Sequence, residues 1–200
     1  MAEQSAPTSN DDSPSGRGPM PAVDDFERAP EKALFARLDQ LQLPYTTTLH
    51  APVMTVAASH DVKALVPGGG HTKNLFMRDK RGQLVLVSAW QESQLPLNHL
   101  HREIGTQRLS FSDAPLLWEA LGVTPGSVTG FALINDPMRE GAAGRVKFIA
   151  DAALLAFDTL NFHPLRNDMT TSIATRDFLA FAAATGHTVQ RVDFARLASS

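Results

Sequence analysis

The sequence predicts a single mixed α+β domain. Three observations favour this fold class: apolar residues recur at helical spacing near both ends of the chain, two β-rich segments meet at a charged turn, and helices and strands interleave irregularly. A doubly wound sheet requires strands and helices to alternate regularly, so this order favours a mixed sheet. The chain shows no internal repeat.

The first helix is predicted from Glu31 to Leu41, because Leu34, Phe35 and Leu38 share one face. Pro30 stands where a first helical residue would be favoured. The elements that follow are strands at 45–49 and 53–56, a short helix capped by Ser59 and running through Leu65, a loop at 67–70, and a hairpin of strands 73–78 and 83–88. Residues 79–82 supply the hairpin turn.

The second half of the chain continues the mixed order of elements. It predicts a helix at 97–104, a helix at 113–121 with Ser112 as its cap and Gly122 as its stop, a strand at 145–150, a strand end or loop at 161–164, a helix at 176–184 capped by Thr175 and closed by Gly186, and a strand at 188–193.

Composition excludes several classes of protein. The 200 residues contain no cysteine, so disulfides and thiolate metal sites are excluded. No apolar run approaches the roughly 18 residues of a membrane helix, and the N-terminus lacks the pattern of a signal peptide. We therefore expect a cytoplasmic protein with no membrane partner.

The N-terminal segment differs in composition from the rest. Residues 1–27 are rich in Ser, Pro, Gly and Asp, and we expect a disordered acidic tail there, followed by one domain at 28–200. The first 25 residues carry a net charge of −4, which leaves +1 for the remainder. A near-neutral domain binds nucleic acid only through a local basic patch.

Familiar catalytic motifs are incomplete in this chain. A P-loop needs glycine directly before its lysine and Ser or Thr after it, but Thr72 and Asn74 flank Lys73. Ser127 stands one position too early for the G-x-S-x-G nucleophile motif. His99 and His101 have no obvious carboxylate partner, so we interpret them as surface histidines.

Three other segments carry chemistry. In 71–76, Lys73 follows a glycine loop and could hold a phosphate or polarise a carbonyl, although a solvated lysine at a strand end is the alternative. In 122–133, Gly126 and Gly130 allow backbone amides to approach a ligand, although an ordinary tight connection would look the same. In 161–172, His163 lies among polar residues and could belong to a functional site, although a structural histidine is the alternative.

Together these segments resemble the YbaK-type editing domain associated with prolyl-tRNA synthetase, most closely its free-standing alanyl-tRNA(Pro) deacylase branch (ProXp-ala). The matching stretches are 71–76, 122–129, and 161–165 followed by Asn167 and Thr170–Thr171. The likeness covers about residues 30–195, and three motifs in the same order are specific where each alone is not.

The resemblance implies a β-barrel-like sheet surrounded by helices, with one pocket for the aminoacylated 3′ adenosine of tRNA. Lys73 and Asn74 match the lysine and asparagine of the family, and His163 matches its pocket histidine. The glycine loop corresponds to 126–130. The family loop usually ends in proline, whereas this chain has Gly130, which removes a rigid φ angle from the loop.

The expected activity is therefore trans-editing hydrolysis of Ala-tRNA(Pro), without metal or cofactor and without a covalent intermediate. We expect Lys73 and the amides of Gly126 and Ser127 to act in catalysis, helped by the 2′-hydroxyl of the tRNA. The expected substrate-binding residues are Val53, Met54, Thr72, Asn74, Phe76, Thr129, Gly130, His163 and Asn167.

The expected partner is the acceptor end of tRNA(Pro), with prolyl-tRNA synthetase as a second partner. The basic residues expected to contact tRNA are Arg78, Lys80, Arg81 and Arg166, although solvated hairpin charges are the plain alternative. Other functions left open are a deacylase for Cys- or Ser-tRNA, a non-catalytic module that binds tRNA or a synthetase, and a metal-dependent hydrolase.

Overall fold

The computed structural model describes residues 30–52, 62–136 and 144–199. The helices in this part of the chain are α1 (Glu31–Gln40), α2 (Leu97–Glu103), α3 (Ala114–Leu121), α4 (Thr175–Ala184) and α5 (Phe194–Ala198), with 3-10 turns at Gly130–Asn135 and Leu154–Ala156. Residues 62–65 are also helical. In the described residues, none of the helices combines the length and the apolar character required to cross a bilayer.

Eight strands within the described ranges form one mixed sheet. They are β1 (Tyr45–Leu49), β2 (Gly70–Asp79), β3 (Leu84–Trp90), β4 (Leu109–Phe111), β5 (Val146–Asp151), β6 (Thr159–Phe162), β7 (Met169–Ala174) and β8 (Val189–Val192). Their order is β1-β7-β6-β2-β3-β5-β8, and β4 adds to β2. The pairs β2–β6, β3–β5 and β5–β8 are parallel and the others are antiparallel. The predicted mixed α+β domain is confirmed.

Strand β2 lies at the centre of the strand pairing because it has two partner strands on one edge and a third on the other. Its first residues, Gly70 and His71, pair with β6, and its last three residues pair with β4. Strand β3 runs along the other edge as the second arm of the predicted hairpin. Between β6 and β4, the described residues supply no ladder partner for 72–76 on that edge.

The core lies on both faces of the sheet. On β3, Leu84 and Leu86 join one apolar cluster, whereas Val85 and Val87 join the other, as the period of two for side chains along a strand requires. The first cluster contains a set of contacting phenylalanine rings, of which Phe131, Phe162 and Phe178 lie near the functional motifs. This rigid packing fixes the segments around 130 and 162 relative to each other.

Some predicted ends of elements were wrong. Asp113, not Ser112, caps α3, because its carboxylate accepts a hydrogen bond from the Leu116 N–H. Thr175 is the first residue of α4 rather than its cap, and its hydroxyl donates to the Phe157 carbonyl. Pro30 precedes the first helical residue. The sequence analysis missed β4, β7 and α5, and the predicted tail, strand 53–56 and cap at Ser59 lie outside the described residues.

Candidate active site

A small cavity lies at the start of β2, where strands β2, β6 and β7 meet the helical segment 62–65. Its volume is about 50 Å³. The lining residues are Val62, His71, Thr72, Gln91, Asn161, Phe162, His163 and Thr170. The first and third sequence motifs therefore form one site, because the parallel pairing of His71 with Asn161 brings them side by side.

His163 presents a hydrogen-bond acceptor to this cavity. Its Nδ1 lies 2.9 Å from the Met169 carbonyl oxygen, which accepts only, so Nδ1 carries the proton. Burial lowers the pKa of His163 from its usual 6.5, against a smaller raising effect of the Met169 hydrogen bond. The ring is therefore neutral at pH 7, and Nε2, which has no partner within the described ranges, keeps its lone pair for a ligand.

Two more histidines surround the cavity. His71 Nε2 donates to the Val66 carbonyl at 2.9 Å, and burial lowers the pKa of His71. His50 Nδ1 donates to the Ala51 carbonyl, so its Nε2 accepts the hydroxyl proton of Thr170 at 2.9 Å. The polar groups of the cavity are thus fixed in defined donor and acceptor roles.

Asn161 ties the glycine loop to the cavity. Its Nδ2 donates to the Gly68 carbonyl at 2.8 Å, and its Oδ1 accepts from Ser172 at 2.7 Å. Gly69 has φ +70°, and a Cβ there would lie 2.8 Å from the Thr159 carbonyl oxygen. Only glycine combines this conformation with such a close approach, so residue 69 holds the loop against β6.

A chain of hydrogen bonds runs from the cavity into the sheet. The Thr72 hydroxyl donates to the Asn161 carbonyl at 2.9 Å, and Asn74 Nδ2 donates to Thr72 Oγ1 at 3.3 Å. The buried Ser88 hydroxyl donates to Asn74 Oδ1 at 2.6 Å. Asn74 therefore supports Thr72 from behind and does not line the cavity.

Lys73 lies on the opposite face of β2 from Thr72 and Asn74, as alternation along a strand dictates. Its ammonium donates to the Ser93 carbonyl, and the buried Asp151 carboxylate accepts the Ser93 hydroxyl at 2.5 Å. Burial lowers the pKa of Lys73, while Asp151 opposes the shift. Lys73 itself does not line the cavity, and Ser93, which binds its ammonium, follows the cavity-lining Gln91 by two positions.

None of the residues of the loop 126–130 lines the cavity. The Ser127 N–H donates to the Thr124 carbonyl at 3.0 Å, so this predicted oxyanion donor is already used within the turn. A Cβ on Gly126 would lie 3.6 Å from Asn167 Nδ2, which places the buried Asn167 beside the loop. Thr129 is fully buried, and its hydroxyl caps the 3-10 turn by accepting from Phe131 N–H.

Gly130 supports a wall of the cavity. A Cβ at this position would lie 2.8 Å from Phe178 and 3.0 Å from Phe162, and Phe162 lines the cavity. The backbone at Gly130 does not have positive φ, so lack of space, rather than conformation, requires glycine. The packing of these two rings therefore favours glycine at position 130.

Two further predicted roles need correction. Phe76 is only 4% exposed and belongs to the apolar core rather than to the cavity. Arg166 is held by both oxygens of Asp168, at 2.7 and 2.6 Å, and by Glu31 at 3.2 Å. Its guanidinium therefore orders the 165–168 turn instead of facing RNA. Val53 and Met54 lie outside the described residues.

The predicted basic cluster lies at the far end of β2. Arg78 and Arg81 line an open groove of about 690 Å³ with Arg145 and Lys147, and Lys80 lies on the other side of the hairpin. Sequence reasoning selected Thr72 and His163 correctly as neighbours, but it did not select the other residues of the cavity. His71, Asn161 and Thr170 stood within the same motifs, whereas Val62 and Gln91 gave no signal.

Comparisons with known proteins identify the family of this chain. A model of the aminoacyl-tRNA editing domain matches residues 50–181, more than half of the chain. The chain belongs to the aminoacyl-tRNA editing domain family. It is therefore an aminoacyl-tRNA deacylase, which is an ester hydrolase. In the described residues, no group of three or more His, Asp or Glu side chains is placed to hold a metal ion.

Relatives of this editing domain have names that fit the assignment. The chain is 30% identical to the prolyl-tRNA editing protein ProX of Acetoanaerobium sticklandii, over 82% of this chain and 96% of that protein. It is 33% identical to the prolyl-tRNA synthetase associated domain-containing protein 1 of Xenopus laevis, over 77% of this chain and 90% of that protein.

A solved structure supports the fold of the editing domain. A candidate trans-editing enzyme for prolyl-tRNA synthetase superposes with a TM-score of 0.60, over 86% of this chain and 99% of that chain. The two chains are only 18% identical, so this likeness supports the architecture and not a shared substrate.

Proposed function

We propose that this deacylase acts in trans on tRNA(Pro) that carries alanine. The observation that carries the proposal is the size of the cavity between His71 and His163. Its volume is about 50 Å³, and one water needs roughly 10–15 Å³ of such space, so it admits a group of a few heavy atoms. The alanyl group fits this description.

The small volume of the cavity also accounts for the exclusion of proline. Attraction alone discriminates poorly, since one methylene changes binding by only about 1–3 kcal/mol. A small cavity with packed walls excludes a larger ring sterically, because its walls move only at a cost of about 1–3 kcal/mol. Phe162 is such a wall, since it packs against Phe131 and Phe178.

The polar groups of the cavity match an aminoacyl ester. The lone pair on Nε2 of His163 accepts a hydrogen bond from the α-ammonium of the alanyl group. The Lys73 ammonium uses one of its three N–H donors on Ser93 and has two left for the terminal adenosine or its phosphate. These contacts hold the ester next to solvent water in a fixed orientation.

Hydrolysis then needs no covalent intermediate. The oxygen of a water molecule attacks the ester carbonyl carbon, and the bond from that carbon to the 3′-oxygen of the ribose breaks. The 2′-hydroxyl of the same ribose takes the proton from water and passes a proton to the leaving 3′-oxygen. Positioning and electrostatics supply the acceleration, with Lys73 as the cation that holds the terminal adenosine or its phosphate.

The body of the tRNA is proposed to contact the basic hairpin end. Arg78, Lys80 and Arg81 are exposed where β2 turns into β3, with Arg78 and Arg81 on one side of the hairpin and Lys80 on the other. Neutralised phosphates release counterions, so binding through these residues should weaken steeply as salt rises. The names of the relatives also support prolyl-tRNA synthetase as a proposed partner.

The pH dependence of hydrolysis should reflect His163. Because burial lowers the pKa of this imidazole below 6.5, we expect the rate to stay constant down to pH 6.5 and to fall at lower pH, where a protonated ring would repel the α-ammonium. The fall should disappear in His163→Asn and remain in His99→Asn, an exposed histidine. A decline that begins between pH 7.5 and 6.5 would argue against this role.

The substrate is tested with tRNA(Pro) charged separately with alanine, serine, cysteine or proline, by measuring release of each amino acid. We expect rapid release of alanine and none of proline. Preferential release of serine or cysteine would reassign the mischarged amino acid, and release of proline at the rate of alanine would refute selection by size.

A further inference from the structure

A second groove lies between α2 and β4, on the same face of β2 as Lys73. Its volume is about 530 Å³. Met77, Leu97 and Leu109 give it an apolar floor, and all three belong to or pack against one core cluster. A groove with an apolar floor of this size suits a flat ring better than a charged chain.

Phe111 forms one wall of this groove and is 64% exposed. It pairs with Met77 in the ladder between β4 and β2, so its ring projects from the same face as the floor. The ring has no aromatic neighbour among the described residues. An exposed phenylalanine at the rim of a groove is a stacking platform for a nucleobase.

The rim of the groove is cationic. Lys80 and Arg108 line it and are exposed. The neighbouring carboxylate, Asp79, is buried, and its oxygens accept backbone hydrogen bonds from Arg81, Gln83 and Gln107. These bonds hold the pKa of Asp79 below its usual value but direct its charge inward. The surface offered to a ligand is therefore positive.

The position of the groove fits the substrate. Lys73 and Met77 lie four residues apart on one face of β2, which corresponds to about 13 Å. An RNA chain whose 3′ adenosine lies at Lys73 can therefore reach the groove within a few nucleotides.

We propose that this groove binds a nucleotide of the substrate tRNA outside its terminal adenosine, with the base stacked on Phe111 and the phosphate held by Lys80 and Arg108. The inference rests on the proposed function, since it takes tRNA as the ligand. It adds a defined aromatic and cationic site to the general electrostatic attraction of the hairpin.

The test measures the affinity of the full-length protein for uncharged tRNA(Pro) as a function of salt. We expect Phe111→Leu to weaken binding about tenfold and Phe111→Trp to retain it, because stacking needs an aromatic ring. Arg108→Gln should weaken binding and reduce the steepness of the salt dependence by about 0.7 per lost phosphate contact. The matched control is Arg176→Gln, an exposed arginine on α4, which should change neither.

Hydrolysis of alanyl-adenosine, which lacks the rest of the tRNA, separates this inference from the proposed function. Phe111→Leu should hydrolyse it as fast as the wild type does while losing rate on charged tRNA at low concentration. The proposed nucleotide site would be overturned if Phe111→Leu and wild type bound tRNA with equal affinity. It would also be overturned if Phe111→Leu and Arg176→Gln lost equal amounts of tRNA affinity. Failure of the wild type on every charged tRNA would instead overturn the proposed function.

Discussion

Replacing Lys73 by alanine should lower kcat/KM for release of alanine from tRNA(Pro) by about 100-fold or more, the usual loss when one preorganised electrostatic group is removed. The ammonium is fixed by the Ser93 carbonyl and the buried Asp151, so it is placed before the substrate arrives. Single-turnover hydrolysis at saturating enzyme measures the chemical step directly.

Two further variants separate chemistry from folding. Lys73→Met keeps the aliphatic stem and deletes the charge, and we expect the same loss with an unchanged melting temperature. Lys32→Ala, on the exposed face of α1, should leave the rate at the wild-type level. Normal turnover by Lys73→Met would remove the lysine from the mechanism.

Replacing Asp136 by alanine should lower the free energy of unfolding by about 3 kcal/mol or more, since it removes a buried carboxylate that accepts hydrogen bonds from buried donors. Asp136 Oδ2 accepts from Val146 N–H at 2.7 Å and from His187 Nε2 at 3.2 Å, and all of these groups are buried. The substitution leaves two buried donors without an acceptor. Urea unfolding of the two proteins at pH 7 measures the difference.

The same cluster predicts the response to acid. Burial alone raises the pKa of Asp136, but hydrogen bonds from His187, Val146 and Arg145 outweigh it and lower the pKa below 3.8. A carboxylate with a lowered folded pKa stabilises the protein above its unfolded pKa and loses that contribution as the pH falls through the folded pKa. Asp136→Ala should therefore lose less stability than wild type between pH 5 and pH 2.

The matched control for this stability prediction is Asp113→Ala. Asp113 is exposed, and its carboxylate caps α3. Loss of a cap costs about 1 kcal/mol. If Asp136→Ala costs no more than Asp113→Ala, the buried cluster does not stabilise the fold.

Helix ends and turns were predictable from the sequence where the conformation of a single residue or a short turn determines them. Gly122 ends α3 with φ 62°, a left-handed conformation that favours glycine, and the turn at 79–82 joins two strands as expected. The strand β7 was missed because its buried faces carry Thr170 and Thr171, whose hydroxyls bond His50 and Thr47 instead of apolar partners. Polar burial of this kind hides a strand from hydrophobic periodicity.

The site was predictable only in part. The motifs identified the right segments, but the sequence analysis did not separate Thr72, which lines the cavity, from Lys73, whose side chain lies on the opposite face of β2. That separation was available from sequence alone. The engagement of Arg166 with Glu31 was not, because the two residues are 135 positions apart and only the fold brings them together. The steric reason for Gly130 also required the positions of Phe162 and Phe178.

The central claim is that the size of the cavity selects the amino acid, and the most direct test compares alanyl-tRNA(Pro) with 2-aminobutyryl-tRNA(Pro), which is one methylene larger. Wild type should prefer alanine at least tenfold in kcat/KM, since one methylene is worth about 10–200-fold in a fitted pocket. Val62→Ala removes part of the cavity wall and should narrow that ratio, whereas Val66→Ala, the same change one helical turn away from the lining, should preserve it. Equal rates on both substrates in wild type, or a ratio that Val62→Ala leaves unchanged, would contradict selection by this cavity.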